Sequence, residues 1–360
     1  LEYASDISDR IAAGFPASKS NDDLLQQSFQ QLFKVHIQNP NPGMQGISLG
    51  NFPMTNFNIR YNFSSVKNHT GLVMGYNADG CSSHYEKFTL KEHELYDATE
   101  KFIENLTICI TDLISNKNSS YVFIGTDHGL SILTLKAAKK LNPHSKIGVI
   151  VFDEHVDVYG TKDEGNIIGK ENVFGKMLIE KYADYVVFFE TSEAAKQWAE
   201  HSVDKNFTRY DIFRKMEVYS DKDLMNGKWQ PILANSMKNM KRAGITNIIV
   251  SVDLDVLPTR YTGFEYSIIA PAIASIRFGN NRSEPGFAEI EEGFSRGIEP
   301  IEAKKYIRYI RQQAAINKIR FGVGNGNSAI LGDIQELLPK QDLGNETTRA
   351  AAQLAMFFAG

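Results

Sequence analysis

Asp153, His155 and Asp157 alternate directly after the apolar run Val149–Phe152. In an extended chain the side chains at i, i+2 and i+4 share one face. The pattern therefore brings two carboxylates and an imidazole toward one point just past a buried strand. That donor mixture suits a hard or borderline divalent ion such as Mn²⁺. Two other segments have the same character. Gly125-Thr126-Asp127-His128-Gly129 follows the apolar stretch Tyr121–Ile124, and Ser251-Val252-Asp253-Leu254-Asp255 ends another, with Asp253 and Asp255 on one face by the same period-two rule. In an open α/β sheet, ligands bind at the carboxyl ends of the strands. The candidate ligands are then His128, Asp153, His155, Asp157, Asp253 and Asp255. Four carboxylates and two neutral imidazoles carry a formal charge that two divalent cations balance, whereas the same carboxylates buried without cations would be very costly. Such an ion pair lowers the pKa of a shared water and makes hydroxide available near neutral pH.

The elements that must position these groups follow from periodicity. Apolar strands are expected at Ile47–Leu49, Leu72–Met74, Tyr121–Ile124, Ile147–Phe152, Tyr185–Phe189, Met216–Tyr219, Asn247–Leu254 and Ile319–Val323. Helical spacing of apolar residues marks Leu24–His36, Glu92–Ser115, Ser131–Leu141, Gly175–Tyr182, Ala194–Glu200, Ile232–Ala243, Glu302–Asn317 and Thr347–Phe358. Strands that are apolar throughout and alternate with helices imply a parallel sheet covered on both faces. With no internal repeat or linker, the chain reads as one α/β domain over residues 1–360, with an N-terminal extension at 1–45 and a long Pro-, Gly- and Asn-rich loop at 257–296.

Composition sets the outer bounds. The chain has 360 residues, 42% hydrophobic and 23% charged, ordinary material for a large globular core. A net charge of −4 gives no basic footprint for nucleic acid. No apolar run is long enough to span a bilayer, and no signal-peptide pattern stands at the N-terminus. Cys81 and Cys109 form neither a disulfide framework nor a zinc knuckle. A cytoplasmic protein is the expectation. The basic set Lys304, Lys305, Arg308 and Arg311 lies at helical spacing and reads as a solvated face or a subunit contact.

Taken together, Gly-Thr-Asp-His-Gly, Asp-Glu-His-Val-Asp and Ser-Val-Asp-Leu-Asp-Val-Leu resemble the arginase–agmatinase–formimidoylglutamase (ureohydrolase) family. Its segments read approximately Gly-Gly-Asp-His-Ser, Asp-Ala-His-x-Asp and Ser-x-Asp-x-Asp-x-Leu-Asp-Pro. Order and spacing agree, and the resemblance runs from about Gly46 to the C-terminus, where Gly344–Ala351 looks like the family's last helix. It implies a three-layer α/β/α fold with a mainly parallel sheet of about eight strands. It also implies two Mn²⁺ ions, with Ni²⁺, Co²⁺, Fe²⁺ or Zn²⁺ as other candidates, and a homo-oligomer, trimeric or hexameric. The implied activity is hydrolysis of a C–N bond in a linear amidine, guanidino or formimino substrate by a metal-bridging hydroxide. His128, Asp153, Asp157 and Asp253 would serve one or both ions, His155 and Asp255 would complete the second, and Asp157 would also orient the hydroxide.

Three positions depart from the family. Its proton-shuttle His, in a segment like Gly-Asn-x-His-Gly, matches Phe174 in Glu171-Asn172-Val173-Phe174-Gly175. Its guanidinium-holding Glu, in Glu-Val-Asn-Pro, is matched here by Asn325. Tyr159 stands where arginases carry an Asn that meets the substrate's amino-acid end. These departures support a second expectation, a non-catalytic member that keeps its metals for stability. A zinc deacetylase on a related fold is disfavoured, because no His-His pair occurs and His128 and Asp157 would have no use.

Overall fold

The computed structural model describes residues 58–59, 69–76, 83–90, 104, 107–108, 111, 120–124, 128–158, 172–204, 210–225, 228–258, 261, 297–324, 329–336 and 346–359. The strands are β1 (Asn58–Ile59), β2 (His69–Tyr76), β3 (Ser83–Leu90), β4 (Ser120–Ile124), β5 (Ile147–Phe152), β6 (Tyr185–Thr191), β7 (Met216–Ser220), β8 (Asn247–Asp253), β9 (Arg320–Phe321) and β10 (Ala329–Gln335). The helices are α1 (Ser131–Leu141), α2 (Val173–Ile179), α3 (Glu193–Asp204), α4 (Tyr210–Phe213), α5 (Asp221–Leu224), α6 (Trp229–Arg242), α7 (Pro300–Ile316) and α8 (Glu346–Ala359). Single 3₁₀ turns at His128–Leu130 and Leu254–Val256 follow β4 and β8.

β1, β2 and β3 form a small antiparallel sheet. Among the described residues the main sheet has seven strands in the order β4-β10-β8-β5-β6-β7, with β9 paired to β8, and every pairing between these strands is parallel. Helices cover both faces, as a parallel sheet requires. α1, α2, α3 and α4 pack on one face against Ile147, Val149, Val151, Val186, Phe188 and Ile249. α6, α7 and α8 pack on the other against Ile150, Phe152, Val187, Phe189, Ile248 and Val250. The parity of β5 sets the side on which its first ligand emerges. Residues 147, 149 and 151 face α1, so Asp153, next in that series, leaves the strand on the α1 side. On β8, Ser251 and Asp253 continue the series of Ile249 to the same side.

The expected elements from Ser131 onward are present with boundaries shifted by a few residues. Four differences matter. β10 is a central strand that periodicity does not reveal, because Gly332, Asp333 and Gln335 interrupt its apolar run. Gly332 is required there: a methyl group would collide with the Val250 carbonyl oxygen and the Phe358 ring. β3 falls in a stretch where no strand is expected. The expected strand Ile319–Val323 shrinks to β9, with Val323 bridging antiparallel to Ile330. The sheet of about eight strands numbers seven among the described residues. The expected helix Leu24–His36, the strand Ile47–Leu49 and the 1–45 extension lie outside the described residues, as do most of Glu92–Ser115 and the long loop beyond Pro258 except Tyr261. The chain returns beside the end of β8: the Ile298 N–H donates to the Val256 carbonyl at 2.9 Å, and Gly297 (φ +152°) sits where any side chain would strike the Val256–Pro258 backbone. Among the described residues no helix is long and apolar enough to cross a membrane.

Candidate metal centre

His128 occupies the 3₁₀ turn between β4 and α1, fully buried at the carboxyl edge of the sheet. Its Nδ1 lies 3.0 Å from an Oδ2 of each of three carboxylates, Asp153, Asp157 and Asp253. One ring nitrogen cannot hydrogen-bond to three acceptors. Nδ1 of His128 and Oδ2 of Asp153 are in fact buried with no hydrogen-bond partner among the described residues. Four donor atoms that crowd one point without bonding to one another form the inner face of a cation site, and the donor set fits a divalent ion.

Local backbone chemistry aims these groups. Asp153 Oδ1 accepts the His155 N–H at 2.7 Å, and Asp253 Oδ1 accepts the Asp255 N–H at 2.9 Å. Each is a short Asp side chain closing a turn on its own backbone two residues on. The two turns consume Oδ1 and leave Oδ2 directed at His128. The α2 start then anchors the far ligand, with the N–H groups of Phe174 and Gly175 donating to the Asp157 carbonyl at 3.0 and 3.4 Å.

A second convergence lies beside the first. His155 Nδ1 is 2.9 Å from Asp255 Oδ2 and 3.5 Å from Asp153 Oδ1. His128, Asp153 and Asp157 form one group able to hold a metal ion, Asp153, His155 and Asp255 a second, and Asp253, Asp255 and Glu336 a third. Asp153 and Asp255 thus belong to two groups each, and Asp253 joins the first through its contact with His128. All six expected ligands are brought together, but by a different route. The period-two argument fails beyond Phe152, where the chain bends, and beyond Asp253, where Leu254–Val256 is a 3₁₀ turn. Asp153 and Asp157 meet His128, while His155 turns away to Asp255.

The outer nitrogen of His128 is also held. Nε2 lies 3.0 Å from Ser251 Oγ, which donates to Asp333 Oδ1 at 2.5 Å, and Ser131 Oγ donates to the same oxygen at 3.1 Å. With a cation in place this would put the ring proton on Nε2 and leave the Nδ1 lone pair facing the carboxylates.

Without cations the cluster balances itself with protons. Burial and the charge of Asp153 push Asp157 up to about 7, and burial with Asp255 and Asp153 raises Asp253. Burial opposes the charge on His128, but the surrounding carboxylates outweigh it and raise the imidazole. The same contest raises His155 through Asp255 and Asp153. Burial opposes ionisation of Asp153 too, but His128 and His155 hold it well below the usual carboxylate range. Divalent cations would replace these protons.

Of the other expected site residues, Phe174 is fully buried, with its ring edge-on to His128 at 4.9 Å and to Phe188 at 5.5 Å. Tyr159 and Asn325 lie outside the described residues. Sequence reasoning missed Glu336, Ser251 as a partner of His128, Asp333 and Glu190. Glu336 follows β10 with φ +61°, and Glu190 forms a bulge in β6 with φ +65°. Both hold the left-handed backbone that non-glycine residues rarely adopt, Glu336 just past the end of β10 beside the cluster and Glu190 near the end of β6. The signal for Glu336 is present in Glu336-Leu337-Leu338-Pro339, which keeps the Glu and Pro spacing of Glu-Val-Asn-Pro.

The sequence model of the arginase family matches residues 46–263, more than half of the chain. This chain belongs to the arginase family. The family match ends before α7, β9, β10 and α8, so Asp333 and Glu336 lie beyond it. Among solved structures, the family member is similar to formimidoylglutamase from Bacillus subtilis subsp. subtilis str. 168, with 19% identity over 72% of this chain and a TM-score of 0.48; the match spans 66% of that chain, just under two thirds. It is similar to an arginase from Bacillus subtilis, with 15% identity over 96% of this chain and 94% of that chain and a TM-score of 0.47. It is also similar to a Trypanosoma cruzi formiminoglutamase solved with Mn²⁺, with 16% identity over 72% of this chain and 70% of that chain and a TM-score of 0.45. A comparison with curated protein sequences finds no match.

Proposed function

We propose that this arginase-family chain is a two-metal hydrolase that cleaves a C–N bond in a linear amidine, guanidino or formimino substrate. The observation that carries the reading is the set of three buried carboxylate oxygens at 3.0 Å around the unpartnered Nδ1 of His128. His128, Asp153, Asp157 and Asp253 would hold one ion, and His155 and Asp255, with the shared Asp153 and Asp253, the other. Mn²⁺ suits these donors, as do Ni²⁺, Co²⁺, Fe²⁺ and Zn²⁺. Two such ions supply Lewis acidity and lower the pKa of a water. The protein side chains do the rest. Asp157, besides holding its ion, would accept a hydrogen bond from the attacking water and orient it. Ser251 and Asp333 fix the His128 ring. Glu336, grouped with Asp253 and Asp255, offers a planar cation a charge-assisted acceptor in the role that the family resemblance assigns to Asn325.

The test is to load the purified protein with Mn²⁺ and assay agmatine, arginine, guanidinobutyrate and formiminoglutamate for release of urea, ammonia or formamide. Turnover of one of them is expected; no turnover on any removes the hydrolase reading. One observation favours a second reading, a member that keeps its metals for stability. Phe174 replaces the proton-shuttle His with a ring that cannot carry a proton and is sealed against His128. That reading predicts that a chelator lowers Tm while no amidine changes it.

A further inference from the structure

A cleft of about 430 Å³ opens between the start of α6 and the outer face of α7, apart from the metal centre. Trp229 and Tyr309 form an aromatic wall, with ring centroids 5.3 Å apart at 80°. Ile301, 58% exposed, adds an apolar surface open to solvent. Lys304, Lys305 and Arg308 also line the cleft, and among the described residues no carboxylate does.

An ordinary solvated helix face mixes acids with bases. On α7 Glu302 is the one acid, and it stands off the cleft. Two of the four cations have internal work. Arg311 lies over the Phe321 ring at 4.8 Å and donates to the Phe358 carbonyl, and Lys304 lies over the Phe357 ring at 5.1 Å. Lys305 and Arg308 form no ion pair among the described residues. Like charges so close on one helix repel, and they persist here in a chain whose net charge is −4. Cations beside these two half-buried rings are complementary to a ligand that joins an aromatic ring to phosphates: the ring stacks on one of Trp229 and Tyr309 and meets the other edge-on, and the guanidinium and ammonium groups take the phosphates. The volume lies within the range of roughly 300–1,000 Å³ typical of small-molecule sites.

We propose that the Trp229–Tyr309 cleft with Lys305 and Arg308 binds an aromatic phosphate of the nucleoside diphosphate class. This goes beyond the hydrolase reading and does not depend on it. Trp198 and Trp229 are the two tryptophans of the chain, so in the metal-loaded Trp198→Phe protein the indole fluorescence reports on the cleft alone. Titration with ADP at low salt is expected to quench that signal saturably, with half-saturation below roughly 1 mM. The added pair Lys305→Glu and Arg308→Glu, both on the exposed surface, should weaken binding about tenfold or more by reversing the charge that meets phosphate. Adenosine and tripolyphosphate should each bind about tenfold more weakly than ADP, since each lacks half of the recognised chemistry. A flat titration, quenching that survives the double charge reversal, or tripolyphosphate or a polyglutamate peptide binding as tightly as ADP would each overturn the proposal.

Discussion

His128 turns one ring nitrogen to the carboxylate cluster and the other to Ser251 on β8, whose Oγ is 3.0 Å from Nε2. Ser251 in turn donates to the buried Asp333 on β10. Three strands therefore meet at one imidazole: β4 delivers it, β8 sets its tautomer and β10 supplies the anion behind the serine. A ligand histidine is only as well aimed as the group on its far nitrogen.

Ser251→Ala should lower divalent-metal affinity about 10–100-fold, the usual effect of losing a partner behind a metal ligand. The fold should survive, because the change removes one oxygen and adds no bulk. Competition of the variant against a fluorescent chelator measures the affinity, and circular dichroism checks the fold. Affinity equal to the parent's would mean that the serine does not steer His128.

Phe174→Ala should cost about 3–5 kcal/mol of stability, the range for emptying a buried aromatic site. The ring touches both His128 and Phe188, so its loss also frees one side of the imidazole and should weaken metal binding. Urea unfolding with and without Mn²⁺ separates the two effects. Phe174→Leu, which fills most of the space, should recover most of the stability. A cost below about 1 kcal/mol for the alanine variant would show that the ring is not part of the wall.

The uneven legibility of the sequence has physical causes. The six candidate ligands are readable because they are chemically conspicuous groups at the ends of apolar runs. Why they converge is not, because the Asp153 and Asp253 turns depend on each side chain capturing a backbone N–H two residues on. β5 and β8 announce themselves as strands buried on both faces. β10 does not, since Asp333, the acceptor for Ser251, and Gly332, which the packing requires, occupy positions an apolar residue would otherwise hold. With β10 hidden, Glu336 has no visible strand end to stand on, and motif matching alone puts the substrate carboxylate's place at Asn325. Phe174 is evident from its motif, but its contact with His128 is a tertiary fact carried by the α2–β6 packing.

Glu336→Gln should weaken binding of agmatine to the Mn²⁺-loaded protein. Replacing a carboxylate by a neutral amide removes a charge-assisted hydrogen bond worth about 1.5–3 kcal/mol, or roughly tenfold or more in affinity. Metal affinity should change much less, because Asp253 and Asp255 remain in that group. Titration calorimetry with agmatine, and separately with Mn²⁺, reads both. Equal agmatine affinity in the two proteins would take Glu336 out of the substrate site.

Glu190 gives a pH test of the acidic strand ends. Burial raises its carboxyl from 4.5 to about 7, aided by Asp221 and Glu302, although the Tyr306 hydroxyl donating at 2.7 Å works the other way. Between these two values the folded chain keeps a proton that the unfolded chain has released, so stability falls as pH rises through that window. The penalty is complete above about 7 and absent below 4.5. Glu190→Gln cannot ionise and escapes it. At pH 8 the variant should be more stable than the parent by on the order of 1–2 kcal/mol, a figure reduced from the full linkage value because solvent still reaches the group. At pH 4, where the parent is protonated, the two should unfold alike. Urea melts in chelator at both pH values keep metal linkage out of the comparison. An offset of the same size at both pH values would assign the effect to the amide's contacts and leave the ionisation of Glu190 with no part in it.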